Sequence, residues 1–167
     1  MVSRIALAAI VVVAIVVALV AIVFSGQFGN QPSLKTTDVQ FQPAGTCKGS
    51  ADCITGTVTR VVDGDTLDID NTRIRLTLVN TPEVNQAGYE EAKQFTSKLC
   101  PVGSRAVADE DDGQTGGSYG RVIAKVTCDG GKVLNEELLK AHMAEILTDF
   151  CGMSEFRNEG WAATYGC

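Results

Sequence analysis

Three short alternating segments joined by turn residues constrain the fold of this chain most. Residues 56–62 are rich in Val and Thr, residues 66–69 alternate between apolar and polar, and residues 73–79 alternate again. Asp-Gly at 63–64 and Asp-Asn at 70–71 separate the three segments, and both pairs are typical of tight turns. The pattern predicts three consecutive antiparallel strands, a β-meander, in the first half of a folded domain.

The rest of the domain is predicted to add two strands and about three helices. We expect strands at 105–109 and 122–128 and helices at 89–99, 133–146 and 154–165. Five short strands, with a helix after the third and another after the fifth, are typical of a small closed barrel of OB-fold type. The predicted fold class is therefore β-rich α+β, a five-stranded OB-fold barrel preceded by one N-terminal transmembrane helix. Trp161 is expected to pack back on this domain.

The N-terminal segment is predicted to anchor the chain in a membrane. Residues 5–24 are uncharged and mostly aliphatic, which is the length of a membrane-spanning helix. A cleaved signal peptide is the alternative, but its apolar region usually covers about 7–15 residues before a small-residue cleavage site. Arg4 places the start of the chain, residues 1–4, inside the cell. The remainder is then extracytoplasmic, or secreted if the segment is cleaved.

Two further segments complete the predicted organisation. Residues 25–46 are rich in Gly, Gln, Ser, Pro and Thr without an apolar period, which predicts a flexible linker. Residues 47–167 are the predicted OB-fold domain. We expect this domain to be monomeric.

All six cysteines follow the apolar segment, and their even number indicates three disulfides in an oxidising compartment. No pair has C-x-x-C spacing and the chain has a single His, so a zinc site is not expected. Six cysteines allow 15 pairings. The pairs that we predict are Cys47–Cys53, which closes a small polar loop, Cys100–Cys128 and Cys151–Cys167.

The charge of the chain restricts how it can meet an anionic partner. The formal net charge is −6, with 14 Lys and Arg against 20 Asp and Glu. Proteins that hold nucleic acid non-specifically are usually basic. Any anionic polymer bound here must therefore meet a local cationic site. The four consecutive acids at 109–112 are expected to form a solvated loop, with calcium binding as the alternative.

Residues 75–83 carry the groups that best suit chemistry on a phosphate. Arg75 lies on a predicted strand, and Asn80, Thr81 and Glu83 follow at the end of that strand. Oxygen ligands suit a hard cation such as calcium, and a guanidinium suits phosphate oxygens. The lone His142 excludes the usual nucleophilic triads, and no glycine-rich phosphate loop ending in Lys is present.

Three sequence blocks, in this order, resemble the signature blocks of the staphylococcal nuclease (thermonuclease) family. They are Val-Val-Asp-Gly-Asp-Thr at 61–66, residues 75–83, and Asp-x-Gly-Gln at 111–114 leading to Tyr-Gly-Arg at 119–121. Residues 135–139 extend the resemblance into the last long helix. It covers roughly residues 57–146, and three spaced motifs together are specific.

The resemblance implies a five-stranded OB barrel and calcium-dependent hydrolysis of DNA and RNA, which leaves 3′ phosphates. It also implies a role for each matching residue. Metal binding would fall to the side chains of Asp65 and Asn80 and the backbone carbonyl of Thr81. The attacking water would be held or deprotonated by Glu83, the phosphate would be clamped by Arg75 and Arg121, and Tyr119 would lie against the nucleotide.

Three departures from the family pattern reduce positive charge or metal affinity. Asn80 stands where the staphylococcal enzyme has Asp, and Ser118 replaces a Lys. The connection at 82–95 is shorter and lacks a Lys-rich loop. We therefore expect weaker substrate binding that is more sensitive to salt.

Two functions follow from these observations. The first is a membrane-anchored nuclease that degrades DNA or RNA outside the cytoplasm. The second is a non-catalytic OB module that binds nucleic acid, a protein or calcium at the cell surface. Domains that have lost activity are expected to lack the arginines or the carboxylates. Both arginines are present here together with Asp65 and Glu83, which favours the enzyme.

Overall fold

The computed structural model of the protein describes residues 47–167. The predicted anchor at 5–24 and the predicted linker at 25–46 lie outside the described residues, so both stay predictions. Within residues 47–167, the helices are too short or too polar to cross a membrane.

The described residues fold around a closed five-stranded barrel. In chain order the strands are β1 (Cys53–Val61), β2 (Thr66–Ile69), β3 (Thr72–Leu76), β4 (Val79–Asn80), β5 (Arg105–Glu110), β6 (Val122–Cys128), β7 (Lys132–Val133) and β8 (Glu145–Ile146). The barrel strands are ordered β3-β2-β1-β5-β6, and each pairs with its neighbour in antiparallel fashion. A parallel pairing between β3 and β6 closes the ring. This arrangement fits the predicted OB fold.

Three helices pack against the barrel or follow it. They are α1 (Tyr89–Leu99), α2 (Leu134–Lys140) and α3 (Gly160–Tyr165). Three single turns of 3-10 helix lie at Asp112–Gln114, Thr148–Phe150 and Glu155–Asn158. The predicted helix at 89–99 and the predicted strand at 122–128 are confirmed with the same bounds.

The core fills the inside of the barrel and continues under α2 and α3. Alternate residues of the barrel strands point inward, as the period of two requires, and the largest of them are fully buried. Burying one such Leu or Ile side chain is worth about 1.5–3 kcal/mol relative to leaving it exposed. Trp161 belongs to this core, as predicted.

All three predicted disulfides are confirmed. Cys47 pairs with Cys53, Cys100 with Cys128, and Cys151 with Cys167. The second bridge ties the end of α1 to the end of β6, so both ends lie at the same end of the barrel. The first bridge closes the loop that leads into β1.

The predicted single strand at 73–79 is wrong, because the chain turns in its middle. β3 ends at Leu76, and Leu78 has a left-handed backbone with φ of 60°. Thr77 is held in the turn, because its N–H donates to the carbonyl of Ala124 at 2.8 Å. The chain then resumes as β4, so residues 76–79 are all buried and do not alternate between two faces.

The predicted helix at 133–146 is too long. α2 ends at Lys140, and His142 takes a left-handed backbone with φ of 56°. The chain then forms β8, which pairs with β4. Residues 145–146 therefore form a strand that pairs with β4, although the spacing of apolar residues had predicted a helix there. The predicted helix at 154–165 is likewise two separate helical turns, because Glu159 has an extended backbone between them.

The acidic run at 109–112 is not a solvated loop. It ends β5 and begins the next 3-10 turn, and Asp109, Glu110 and Asp111 are buried. Its carboxylates accept hydrogen bonds from backbone N–H groups of the loop closed by Cys47 and Cys53, from Thr77 and Gln114, and from the N–H groups of Gly113 and Glu155. Donors within the chain satisfy this run, and calcium binding there is not supported.

Asn135 joins α2 to the barrel and to the turn at Thr77. It is fully buried, its Oδ1 accepts from the N–H of Val126 at 3.0 Å, and its Nδ2 donates to the carbonyl of Thr77 at 2.8 Å. Both backbone groups would lack a partner without this amide, and an unpaired buried polar group is costly.

Asn135→Ala is expected to lower the free energy of unfolding by about 2–4 kcal/mol, because two buried backbone groups lose their partner. The matched control is Asn158→Ala, at an exposed position, which should change it by less than about 0.5 kcal/mol. Urea denaturation of a fragment starting at residue 45 measures both. Equal losses in the two variants would contradict the role given to Asn135.

Candidate active site

The closure of the barrel places Arg75 between two neighbouring strands. In the strand register Arg75 lies opposite Thr66 of β2 and opposite Ile123 of β6. Asp65 immediately precedes β2, and its carbonyl accepts from the N–H of Leu76 at 2.8 Å. Residues distant in sequence therefore meet around one side chain.

Asp65 and Arg75 form a buried ion pair. Arg75 Nε lies 3.1 Å from Asp65 Oδ1, and the two side chains are 12% and 5% exposed. Asp65 Oδ2 accepts from both the N–H and the hydroxyl of Thr81, at 2.7 and 3.0 Å. The turn between β1 and β2 is thereby attached to the chain that follows β4. A buried pair of this kind positions groups more surely than it stabilises a fold.

The other donors of Arg75 hold the turn that follows its strand. Nη1 donates to the carbonyls of Leu76 and Val79 at 2.7 and 2.6 Å, and Nη2 donates to Asn80 Oδ1 at 3.0 Å. Burial lowers the pKa of this guanidinium, and the neighbouring Asp65 carboxylate opposes that effect. Arg75 is therefore held rigidly, with Asp65, Asn80 and Thr81 around it.

Arg121 reaches the same region from a tight hairpin turn. Ser118 and Arg121 exchange two backbone hydrogen bonds of 3.0 Å, and the two residues between them, Tyr119 and Gly120, have φ of 51° and 75°. Positive φ at both central positions is the geometry of a type I′ turn. The Arg121 side chain folds back on this turn, and its Nε donates to the Ser118 carbonyl at 3.1 Å.

Tyr119 projects from the tip of the turn. Its side chain is 98% exposed, and its ring centre lies 5.9 Å from Cζ of Arg121. An exposed large aromatic ring beside an arginine presents a face on which a planar group can stack.

The two arginines line one cavity of about 280 Å³. Its walls are otherwise mostly apolar, with a few polar side chains. Leu78, Leu147 and the partly exposed Phe150 contribute apolar wall, and Gln114 and Ser118 contribute polar groups. The positive charge of Arg121 lowers the pKa of Arg75, so the two guanidinium groups lie near each other. In an acidic protein this cavity is a local cationic site.

A polar cluster of Thr77, Asp111 and Gln114 lies beside this cavity and was not predicted from the sequence. Thr77 donates to Asp111 Oδ2 at 2.7 Å, and Gln114 Nε2 donates to both at 3.1 and 2.9 Å. The cluster fixes the loop that carries the Arg121 turn against the turn after β3. Asp111 and Gln114 stand in a recognised motif, but no pattern in the sequence links them to Thr77.

Two further carboxylates surround the ion pair. From the sequence, Asp63 was predicted only as a turn residue. Its carboxylate accepts a hydrogen bond from the N–H of Asp65. Burial and the negative charge of Asp65 raise the pKa of Asp63. Glu83 is exposed, and its carboxylate is close enough to Arg75 to oppose slightly the lowering of the Arg75 pKa that burial causes. The backbone N–H of Glu83 donates to Gln86 Oε1 at 2.8 Å.

The donors around Asp65 fit a hard cation in kind. In the part of the chain that the structure describes, no group of three or more His, Cys, Asp or Glu side chains is placed to hold a metal ion. Asp65, Asn80 and the Thr81 carbonyl offer only oxygen, which is the ligand type calcium takes. Only Asp65 among these three groups is charged, so the ligand atoms suit calcium but together carry a single negative charge.

Residues 73–159 match the family model described as Staphylococcal nuclease homologue. The chain belongs to the staphylococcal nuclease family. The match runs from β3 to Glu159, just before α3, and includes Arg75, Asn80, Glu83 and Arg121, whereas Asp65 precedes it. The expectation drawn from the three sequence blocks is thereby confirmed, and the chain carries a nuclease-like domain.

Asp63→Asn is expected to stabilise the folded domain near neutral pH when calcium is removed with a chelator. Burial and Asp65 raise the folded-state pKa of Asp63, so the native state binds this proton more readily than the unfolded chain. The ionised Asp63 carboxylate therefore destabilises the folded domain at pH values above its folded-state pKa. This destabilisation disappears below pH 3.8, the ordinary pKa of the carboxyl group, where Asp63 is protonated in both states.

Urea denaturation at a series of pH values measures this effect. The asparagine oxygen can still accept from the N–H of Asp65, so that hydrogen bond is retained. Asp149→Asn, at an exposed position, is the control and should leave stability unchanged. A destabilising effect of Asp63→Asn at pH 7 would contradict the expectation.

Proposed function

We propose that this protein is a calcium-dependent nuclease that hydrolyses phosphodiester bonds of DNA or RNA and leaves 3′ phosphates. The observation that carries the proposal is the cavity shared by Arg75 and Arg121, next to the oxygen ligands Asp65, Asn80 and Thr81. Two fixed cations beside a metal-binding set suit a reaction whose transition state gathers negative charge on a phosphate.

Arg75 and Arg121 are proposed to bind the scissile phosphate and to stabilise its developing charge. Arg75 is held in place because Nη1 donates to two backbone carbonyls, Nη2 donates to Asn80 and Nε faces Asp65. It would therefore offer the phosphate its fixed positive charge and the remaining N–H of Nη2. Arg121 is held by the hairpin turn. Guanidinium groups match phosphate oxygens in shape as well as charge.

Glu83 is proposed to hold or deprotonate the attacking water. Its carboxylate is exposed and follows directly from the strand end that carries Asn80 and Thr81. A carboxylate that is free to accept is what a general base requires. Tyr119, exposed at the rim of the cavity, is proposed to lie against the nucleotide.

Asp65, Asn80 and the Thr81 carbonyl are proposed to hold calcium. When bound, the ion would polarise the phosphate and neutralise part of its charge. The Asp65 carboxylate is fixed for this role, because Thr81 donates two hydrogen bonds to one oxygen and Arg75 orients the other.

The protein is proposed to act outside the cytoplasm, anchored through residues 5–24. Three disulfides within residues 47–167 support an oxidising compartment. A domain of this size without free cysteines suits that environment.

Replacing either arginine or the glutamate is expected to remove most of the cleavage. Arg75→Ala, Arg121→Ala and Glu83→Gln should each lower kcat by about 10²–10³, since each removes one group that acts on the transition state. Degradation of plasmid DNA and of RNA, with calcium present, measures the loss.

Arg73→Ala is the matched control. Arg73 lies on the same strand but is exposed and paired with Asp68, so its loss should leave cleavage unchanged. Full activity in the three site variants would overturn the proposed function. Nucleic-acid binding without cleavage by the unaltered protein would favour the non-catalytic module instead.

Removing calcium is expected to abolish cleavage while the domain stays folded, because none of the three disulfides or the core depends on the ion. A chelator should stop plasmid degradation, and excess calcium should restore it. Circular dichroism of the same samples shows whether the fold is kept. Cleavage at an unchanged rate in the chelator would contradict the calcium dependence.

A further inference from the structure

The proposed calcium ligands carry one negative charge among them, that of Asp65. Asn80 contributes an amide oxygen, which already accepts one hydrogen bond from Arg75 Nη2. A carbonyl oxygen has two lone pairs, so the Asn80 oxygen can bind a cation while it accepts from Arg75. Calcium affinity rises with the number of charged ligands, so a further carboxylate near Asn80 would strengthen calcium binding.

The pairing of β4 with β8 places Glu145 directly opposite Asn80. Opposite residues of an antiparallel pair project on the same face, with Cβ atoms about 4.5–5.5 Å apart. The N–H of Leu147, just after β8, donates to the carbonyl of Leu78, just before β4, at 2.8 Å, and this bond extends the same register by one position.

Glu145 opens onto the same space as two of the proposed ligands, Asn80 and Thr81. Asn80, Thr81 and Glu145 line one cavity of about 210 Å³. Glu145 is exposed, and within residues 47–167 its carboxylate has no ion pair or side-chain hydrogen bond. It is therefore free to turn toward a cation.

Resting on the proposed function, we propose that Glu145 is a further calcium-binding carboxylate of this site. It supplies from β8 the negative charge that the amide of Asn80 does not supply from β4. His142 lines the same cavity, but an imidazole suits zinc, copper or nickel, whereas calcium takes oxygen ligands. The ligand class is thus a hard divalent cation held by oxygen atoms.

Calcium titration by calorimetry tests the assignment on the full-length chain, purified in a mild detergent. Glu145→Gln is expected to weaken calcium binding at least about tenfold, and Asn80→Asp in the same chain should recover most of that loss. His142→Asn is the matched control on the same cavity and should bind calcium as the unaltered chain does. Asp65→Asn serves as the reference for a lost ligand.

Three results would overturn the inference, and they separate it from the proposed function. If Glu145→Gln binds calcium normally while Asp65→Asn does not, Glu145 is no ligand but the calcium site stands. If His142→Asn weakens binding as much as Glu145→Gln, the effect comes from disturbing the cavity. If the unaltered chain binds no calcium, the calcium dependence proposed above fails together with the role of Glu145.

Discussion

The parallel pairing of β3 with β6 is the contact on which the rest of the structure depends. It closes the barrel, and it sets Arg75 opposite Ile123, two residues after Arg121. The same register therefore forms a closed core and brings together two cations that lie 46 positions apart in the sequence. Without this pairing the sheet would have two open edges and no shared cavity.

Buried polar groups then fix the loops around the closed barrel. Asn135 satisfies one backbone group of β6 and one of the turn after β3. Thr77, Asp111 and Gln114 hold the Arg121 loop against that turn. Each of these groups has a partner, and a fully satisfied network specifies one arrangement where a half-satisfied one would cost free energy. The position of the two arginines thus depends on hydrogen-bonded polar groups around them as well as on the strands that carry them.

Charge is distributed so that an acidic protein keeps a local cationic cavity. Several carboxylates are hydrogen-bonded within the fold, as the run at 109–112 is by backbone N–H groups of the disulfide-closed loop, and Asp109 also pairs with Lys125. The cationic groups that remain near the cavity are few but rigid. A polyanion would be attracted over a short distance only, because solvent ions screen charges beyond about 10 Å at moderate salt.

The sequence by itself determined most of the barrel strands, helix α1 and the list of candidate site residues. Alternation and turn residues located four of the five barrel strands closely, helical spacing located α1, and spaced motifs named Asp65, Arg75, Asn80, Thr81, Glu83 and Arg121. The tertiary structure alone decided where local patterns yield to long-range pairing. Leu78 and His142 take left-handed backbones because β4 must meet β8, and Asp109 and Glu110 are buried because a distant loop supplies their donors. Such effects depend on partners far apart in the chain, and no local pattern encodes them.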